Sequence, residues 1–423
     1  MSQFGLLFIL TITSVVLISA SNESCVQQDA DVTICSSGRV ITQVLSHQRS
    51  LSLDLANYDS IAPNALNDLR LYSLSFNFGD SSTCEPRTFD LTPESFNGVG
   101  SGLETLHITC WDPPKDSEAL KFCSRLTKVE LIRSGLTEPP KTLLKALEGL
   151  DMFIVEGHRI ETLDDDSFSG FPAWVQLMYL NDGSLETIQG SPFKNMHYLA
   201  RLSLKNNKIR HLTPKTFAGL GKLEKINLEH NLIEKIVGGV FSSAHRWLKG
   251  IDLRNNRIVD IEEEAFYGAP MIGLFLMNNS LETLPVRAFD GAKQLRVLNL
   301  SANKFTVIPS HYFVNLEHLE SLIINSGALS KIEPYGLAGP KYGSLEIRYN
   351  HNLTQLDTDS FNGVEGRPIL KLEDNNIKFI QDNSFRNAKA FAIYLTGNPL
   401  QDHDITRWGV DPTTYVSFKN ARY

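Results

Sequence analysis

The side chains in this chain best suited to chemistry are 11 histidines, five cysteines and two acidic triplets. The histidines are scattered. No His-Glu-x-x-His pair, phosphate-cradling glycine loop, Gly-x-Ser-x-Gly elbow or Cys-x-x-Cys pair occurs. Histidines without a paired ligand or nucleophile are expected at solvent-facing positions. The triplets Asp164–Asp166 and Glu262–Glu264 offer hard oxygen ligands of the kind calcium takes. They lie far apart, and the Asp-x-Asp-x-Asp-Gly spacing that would converge such ligands is absent, so both are expected to be solvated edges. No catalytic residue, metal ligand or cofactor site is assigned.

The cysteines bear on compartment. All five (Cys25, Cys35, Cys84, Cys110 and Cys123) lie in the first third of the chain. Ahead of them an apolar run from Phe4 to Ile18 ends in the small residues Ser19, Ala20 and Ser21. That pattern reads as a signal peptide over residues 1–20, since the run is shorter than the roughly 20 residues a membrane span needs. No later segment is long and apolar enough to cross a bilayer. The expected product is secreted and extracellular, which makes disulfides the default state. Cys25 and Cys35 are expected to close a small loop, and two of Cys84, Cys110 and Cys123 to pair, with spacing unable to say which. Export also makes the glycosylation acceptors Asn22, Asn278, Asn299 and Asn352 available for use.

What positions these residues is a repeat. "LARLSLKNNKIRHLTPKTFAGL" begins at Leu199, "LEKINLEHNLIEKIVGGVFSSA" at Leu223 and "LKGIDLRNNRIVDIEEEAFYGA" at Leu248. Further copies start at Met271 and Leu295. Each has apolar residues at its first, fourth, sixth, eleventh and fourteenth places, Asn at the ninth and Phe at the nineteenth. Weaker copies start near Gln48, Leu71, Leu103, Leu126, Leu150 and Val175, and again near Leu319, Tyr342, Arg367 and Ala390. The apolar-x-apolar core, as in Leu298-Asn299-Leu300, has period two and forms a short strand with both leucines on one face. One repeat cannot bury that face, but a stack can.

The pattern resembles the 24-residue leucine-rich repeat of extracellular proteins, as in Slit, Toll-type ectodomains and small leucine-rich proteoglycans. In size and style it is also similar to secreted arthropod repeat proteins, including the non-catalytic subunit of a shrimp luciferase complex. The resemblance implies an α/β solenoid: a leucine-rich-repeat horseshoe with a concave parallel β-sheet and a mostly irregular or 3-10 convex side. The expected organisation is an N-terminal cap over 21–47, about 14 repeats over 48–398 and a cap-like segment over 399–423. An insertion is expected near 77–95, where the repeat step lengthens. Where the family's C-terminal cap carries cysteines this chain has Asp402 and Asp404, while Trp408 falls on the cap's tryptophan.

Repeat phase then divides the residues by role. The ninth-position asparagines Asn207, Asn231, Asn256, Asn279, Asn303, Asn350, Asn375 and Asn398 are read as a buried ladder that satisfies the backbone where each strand ends. Phe168, Phe193, Phe217, Phe241, Phe266, Phe289, Phe313, Phe361 and Phe385 are expected to stack on the far side. On the concave face the phase puts Arg201, Lys205, Lys225, Glu229, Asp252 and Arg254. Ile154, Leu177 and Tyr179 flank them before, and Phe275 and Met277 after. A row of such residues on one sheet face marks a contact surface for a protein or glycan partner. Asn299 shares that face, so a glycan there would push a partner towards Val175–Asn255. A formal charge of −8 argues against nucleic acid as the ligand. The expected role is a non-catalytic binding protein. The alternatives are a stabilising subunit in a hetero-complex with an enzyme, or an innate-immune or matrix recognition protein.

Overall fold

The computed structural model describes residues 17–18, 23–80, 82–285 and 287–418. The expected signal peptide, apart from the backbone at 17–18, lies outside the described residues, as does the acceptor Asn22. The chain forms parallel β-solenoid coils and divides into two compact units. The first comprises 1–136, 140–155 and 170–172, and the second the remainder.

The first unit opens with the antiparallel strands Ser24–Asp29, Val32–Ser37 and Val40–Ser46. Cys25 and Cys35 sit opposite each other across the first pair and are joined by a disulfide. The parallel strands Ser50–Asp54, Ser73–Asn77, Thr105–Thr109 and Lys128–Ile132 follow, with Met152–Glu156 after them. Period-two alternation decides which side chains enter the core: Leu51, Leu53, Leu74, Phe76, Leu106, Ile108, Val129 and Leu131 are all buried. The inserted loop is tied to its own coils. Cys84 bonds Cys110, Arg87 pairs with Asp59 at 3.1 Å, and the Trp111 indole donates to the Phe89 carbonyl at 3.1 Å. The left-over Cys123 is a buried thiol whose pKa burial pushes up to about 12.

In the second unit eleven parallel strands run in chain order from Leu177–Asn181 to Tyr415–Ser417. Their register is the repeat itself, with Leu202 beside Ile226, Ile226 beside Ile251 and Leu274 beside Leu298. On the far side five consecutive phenylalanine pairs, from Phe168 to Phe289, stack with ring centroids 5.3–6.5 Å apart. The run then breaks. Tyr312 meets both Phe289 and Phe313 edge-on, because its hydroxyl donates to the Pro285 carbonyl at 2.7 Å. Leu337 fills the following place, and stacking resumes only at Phe361–Phe385, 4.7 Å apart.

The far flank carries structure that hydrophobic phase alone did not indicate. Two-residue strands pair between neighbouring coils, Thr162–Leu163 with Thr187–Ile188 and Lys235–Ile236 with Asp260–Ile261 among them. Helix is confined, among the described residues, to the 3-10 turn Pro93–Phe96 and the four-residue α-helix Lys141–Leu144. About 24 residues per coil leave little chain for more.

At the C-terminal end Tyr415–Ser417 continues the sheet beside Ala392–Tyr394. Asp402 and Asp404 stand where the repeat family has cysteines. Their carboxylates hold Arg407, by its guanidinium and its backbone N–H respectively, in the turn that seats the fully buried Trp408.

Candidate binding surface

The open face of the second unit's sheet is positioned by a corner that every coil must turn. The ninth-position asparagine makes the turn possible by bonding in both directions. Asn256 Nδ2 donates to the Leu228 carbonyl of the preceding coil at 2.9 Å and to Leu253 of its own at 3.0 Å. Its Oδ1 accepts from the Ile233 N–H at 3.1 Å. Asn207, Asn231, Asn279, Asn303 and Asn398 repeat this pattern. Asn375 uses the same carbonyls and Asn350 donates to Ile324 of the preceding coil and Arg348 of its own, but they accept from the Asn350 and Gly327 N–H groups respectively.

Where the ladder lacks an asparagine the chain substitutes another device. The coil that begins at Val175 has Gly183 at the ninth place, and a Cβ there would lie 2.2 Å from the His158 ring of the coil before it. That ring fills the vacant space, and its Nδ1 accepts the Ile160 N–H at 3.2 Å, the group an asparagine at 183 would have satisfied. His158 is therefore buried, and burial lowers its pKa to about 4 against the opposing pull of the Leu180 carbonyl and Asp182. His245 is buried as well, between the Ser242 N–H and the Phe217 carbonyl. The histidines lie mostly at the surface, as expected; His158 and His245 are the buried exceptions, because each supplies a bond the local backbone lacks.

The eighth residue of each coil takes a left-handed conformation: Asp182, Asn206, His230, Asn255 and Asn278 all have φ between 53° and 56°. Short polar side chains tolerate that region best, which accounts for the Asn-Asn pairs in the repeat.

On the open face the register brings the expected side chains into three rows. Leu177, Arg201, Lys225 and Gly250 are neighbours in one row, and Tyr179, Ser203, Asn227, Asp252 and Phe275 in the next. The third holds Lys205, Glu229, Arg254 and Met277. Ile154 belongs to the first unit and is not grouped with them. Arg201, Lys225, Tyr179, Asp252 and Phe275 line one hollow of about 330 Å³, with Ser203, Asn227 and Gly250 also in its wall. Gly250 explains why the hollow exists. A Cβ there meets nothing closer than Lys225 Cγ at 4.0 Å, so the row lacks a side chain where the other rows carry one.

Glu229, Lys205 and Arg254 play a different part from the one expected. Glu229 is 8% exposed, with Lys205 at 3.1 Å, Arg254 at 3.5 Å and Asn255 at 3.2 Å around its carboxylate. It is the centre of an internal ion network rather than a free contact. Lys205 and Arg254 are tied by it, and Arg254 also grips Asp252 at 2.7 Å. Nothing in spacing announces this, because opposite charges on adjacent coils meet only through register.

The acidic triplets lie on exposed edges, as expected, with only Glu262 half-buried, and they also link coils. Asp165 accepts the Ser191 N–H at 3.0 Å and Glu262 the Gly238 N–H at 2.9 Å, each linking adjacent coils. Among the described residues no group of three or more His, Cys, Asp or Glu gathers at metal-binding distance, and no helix is long and apolar enough to cross a membrane.

Comparison with known proteins meets this geometry. A leucine-rich-repeat family model matches residues 174–233, 246–305 and 293–341. Tsukushi of Gallus gallus is 30% identical over 257 residues, 58% of this chain and 66% of its own length. Toll-like receptor 3 of Boselaphus tragocamelus is 27% identical over 308 residues, 67% of this chain but 33% of the receptor. The solved complex of Toll with Spätzle from Drosophila superposes with a TM-score of 0.67 at 17% identity, covering 93% of this chain and 55% of that one. The chain is a leucine-rich-repeat protein. Its matched stretches span from 33% to 66% of the two curated relatives named, so those proteins' whole activities do not transfer with the repeats.

As a leucine-rich-repeat chain it places its glycosylation acceptors at distinct phases. Asn299 is half-buried at the end of the strand Val297–Asn299 on the open face, in register between Phe275 and Ile323. Asn278 and Asn352 are exposed where the coil turns away from the strand, and Asn278 donates to Asn255 at 2.7 Å.

Proposed function

We propose that this leucine-rich-repeat chain is a secreted, non-catalytic binding protein that seats a protein partner on the open face between Tyr179 and Phe275. The observation that carries the reading is the hollow, in which cations, aromatic walls and a side-chain-free floor converge on one patch. A glycan on Asn299 would cover the neighbouring stretch and confine a partner to this side. The Drosophila Toll structure is a complex with Spätzle, so the same fold presents its surface to another protein. The net charge of −8 favours a protein over a nucleic acid here.

The test fills the hollow. Gly250→Trp adds bulk where no atom lies closer than 4.0 Å. Native secreted fluid is passed over immobilised wild type, Gly250→Trp and Arg246→Glu, an exposed change outside the hollow. Proteins held by wild type and Arg246→Glu but lost with Gly250→Trp support the reading. Equal capture by all three overturns it. An enzyme among those proteins would mark a companion-subunit role, and matrix or microbial components a recognition role.

A further inference from the structure

We propose, resting on the open-face reading, that the hollow receives one carboxylate flanked by a large apolar side chain, presented by an acidic segment of a protein partner. The charge arrangement of the second unit's open face points there. Lys205, Arg254, Arg348 and Lys371 are each matched by an acid of the same face, at 3.1, 2.7, 3.5 and 2.6 Å respectively. Arg201 and Lys225 are the exceptions among its described cations, and they are in-register neighbours exposed on the wall of the hollow.

Adjacent strands lie about 4.8 Å apart, and two like charges at that spacing repel by ~1 kcal/mol even in bulk water. Like charges directly opposite one another weaken a sheet. An oxyanion between them reverses the sign of that interaction. The Arg201 guanidinium offers two parallel N–H donors that match a carboxylate, and Lys225 adds a mobile point charge.

The rest of the wall restricts the ligand further. Tyr179 and Phe275 stand on either side, so an apolar group beside the acid is covered as well. About 330 Å³ is at the small end of ligand pockets, room for one or two side chains. A polyanion is disfavoured. The row holding Arg201 and Lys225 continues as Leu177 on one side and Gly250, Gly273 and Val297 on the other, with no third cation. Asp252 also lines the hollow and would repel further negative charge.

A displayed library of random heptapeptides, panned on the full chain, tests this. The most enriched peptide is resynthesised with a fluorophore and titrated against wild type and the Arg201→Ala/Lys225→Ala variant, with melting curves confirming that the variant folds. The expected result is enrichment of Asp or Glu next to Phe, Leu or Trp. Affinity should fall about tenfold or more in the variant and equally when the peptide's acid becomes an amide. No enrichment, enriched peptides without an acid, or equal binding by the variant each overturn the proposal. So does heparin, the polyanion probe, displacing the peptide at about 150 mM salt, where long-range attraction is screened. The failures are separable: loss of native partner with Gly250→Trp but acid-independent peptide binding removes only the carboxylate, whereas unchanged capture by Gly250→Trp removes the open-face reading itself.

Discussion

The two units meet one structural demand by opposite means. Every coil must leave its strand at a corner where backbone groups have no ladder partner. In the second unit one residue type at one phase solves this repeatedly, with Asn231, Asn256 and Asn279 making nearly superimposable bonds. In the first unit the equivalent ninth places are Ala56, Gly79, Trp111 and Ser134, none of them asparagine, and a disulfide and the Trp111 indole instead tie the inserted loop to the coils. A periodic solution spreads stability evenly along the coils. A set of single devices concentrates it, so each device is harder to lose. The hollow lies in the periodic unit, where five adjacent strands pair in continuous register and the open face is consequently a regular grid.

The largest expected effect tests the first unit's dependence on one link. Replacing Cys84 and Cys110 together by serine releases a loop with 26 residues of separation, and loop-closure entropy puts the loss near ~3.5 kcal/mol. Hydrogen exchange should show it in the strands Ser73–Asn77 and Thr105–Thr109 and leave Lys225–Asn227 protected. Uniform loss across both units would erase the contrast.

Next is the site where the second unit itself resorts to a single device. His158 has a folded pKa of about 4, below its usual 6.5. A depressed histidine favours the neutral form in the fold, so its contribution is complete above pH 6.5. It is lost as pH falls from 6.5 through 4, while the unfolded chain takes up the proton first. The linkage is worth roughly 3 kcal/mol over that window. Chemical denaturation of wild type and His158→Gln at pH 7 and pH 4.5 should show a steeper fall for wild type; parallel falls would mean the ring is not carrying that proton linkage.

The smallest effect comes from one rung of the ladder. Asn256→Ala leaves the Leu228 and Leu253 carbonyls and the Ile233 N–H short of a partner, at a cost of about 1–3 kcal/mol. Neighbouring rungs remain, so protection should drop around Ile233–Asn256 only. A global loss larger than that of the disulfide variant would reverse the ranking of the two units.

Much of this was legible in the residues. The period of Leu298-Asn299-Leu300 and its copies names the inward rows, the Phe side and the buried asparagines, because burial phase is a property of the chain alone. The hollow was half legible: Arg201, Lys225, Asp252 and Phe275 were placed on one face, but the gap over Gly250 was not foreseen. Glu229 was misjudged: phase reports which way a residue points from its own coil, and its burial is decided by Lys205 and Arg254, which the adjacent coils bring within 3–4 Å of its carboxylate.

The sequence by itself therefore determined the repeat, its strands, the apolar rows, the asparagine corner and the side on which charges gather. Only the tertiary structure decided that Cys84 takes Cys110 and leaves Cys123 buried, that Tyr312 breaks the phenylalanine stack, and that Arg201 and Lys225 alone stay unmatched among the described open-face cations of the second unit. The reason is distance along the chain. Partners on the second unit's open-face sheet are 23–25 residues apart, and a pairing across that interval depends on which side chains face each other once the coils are in register.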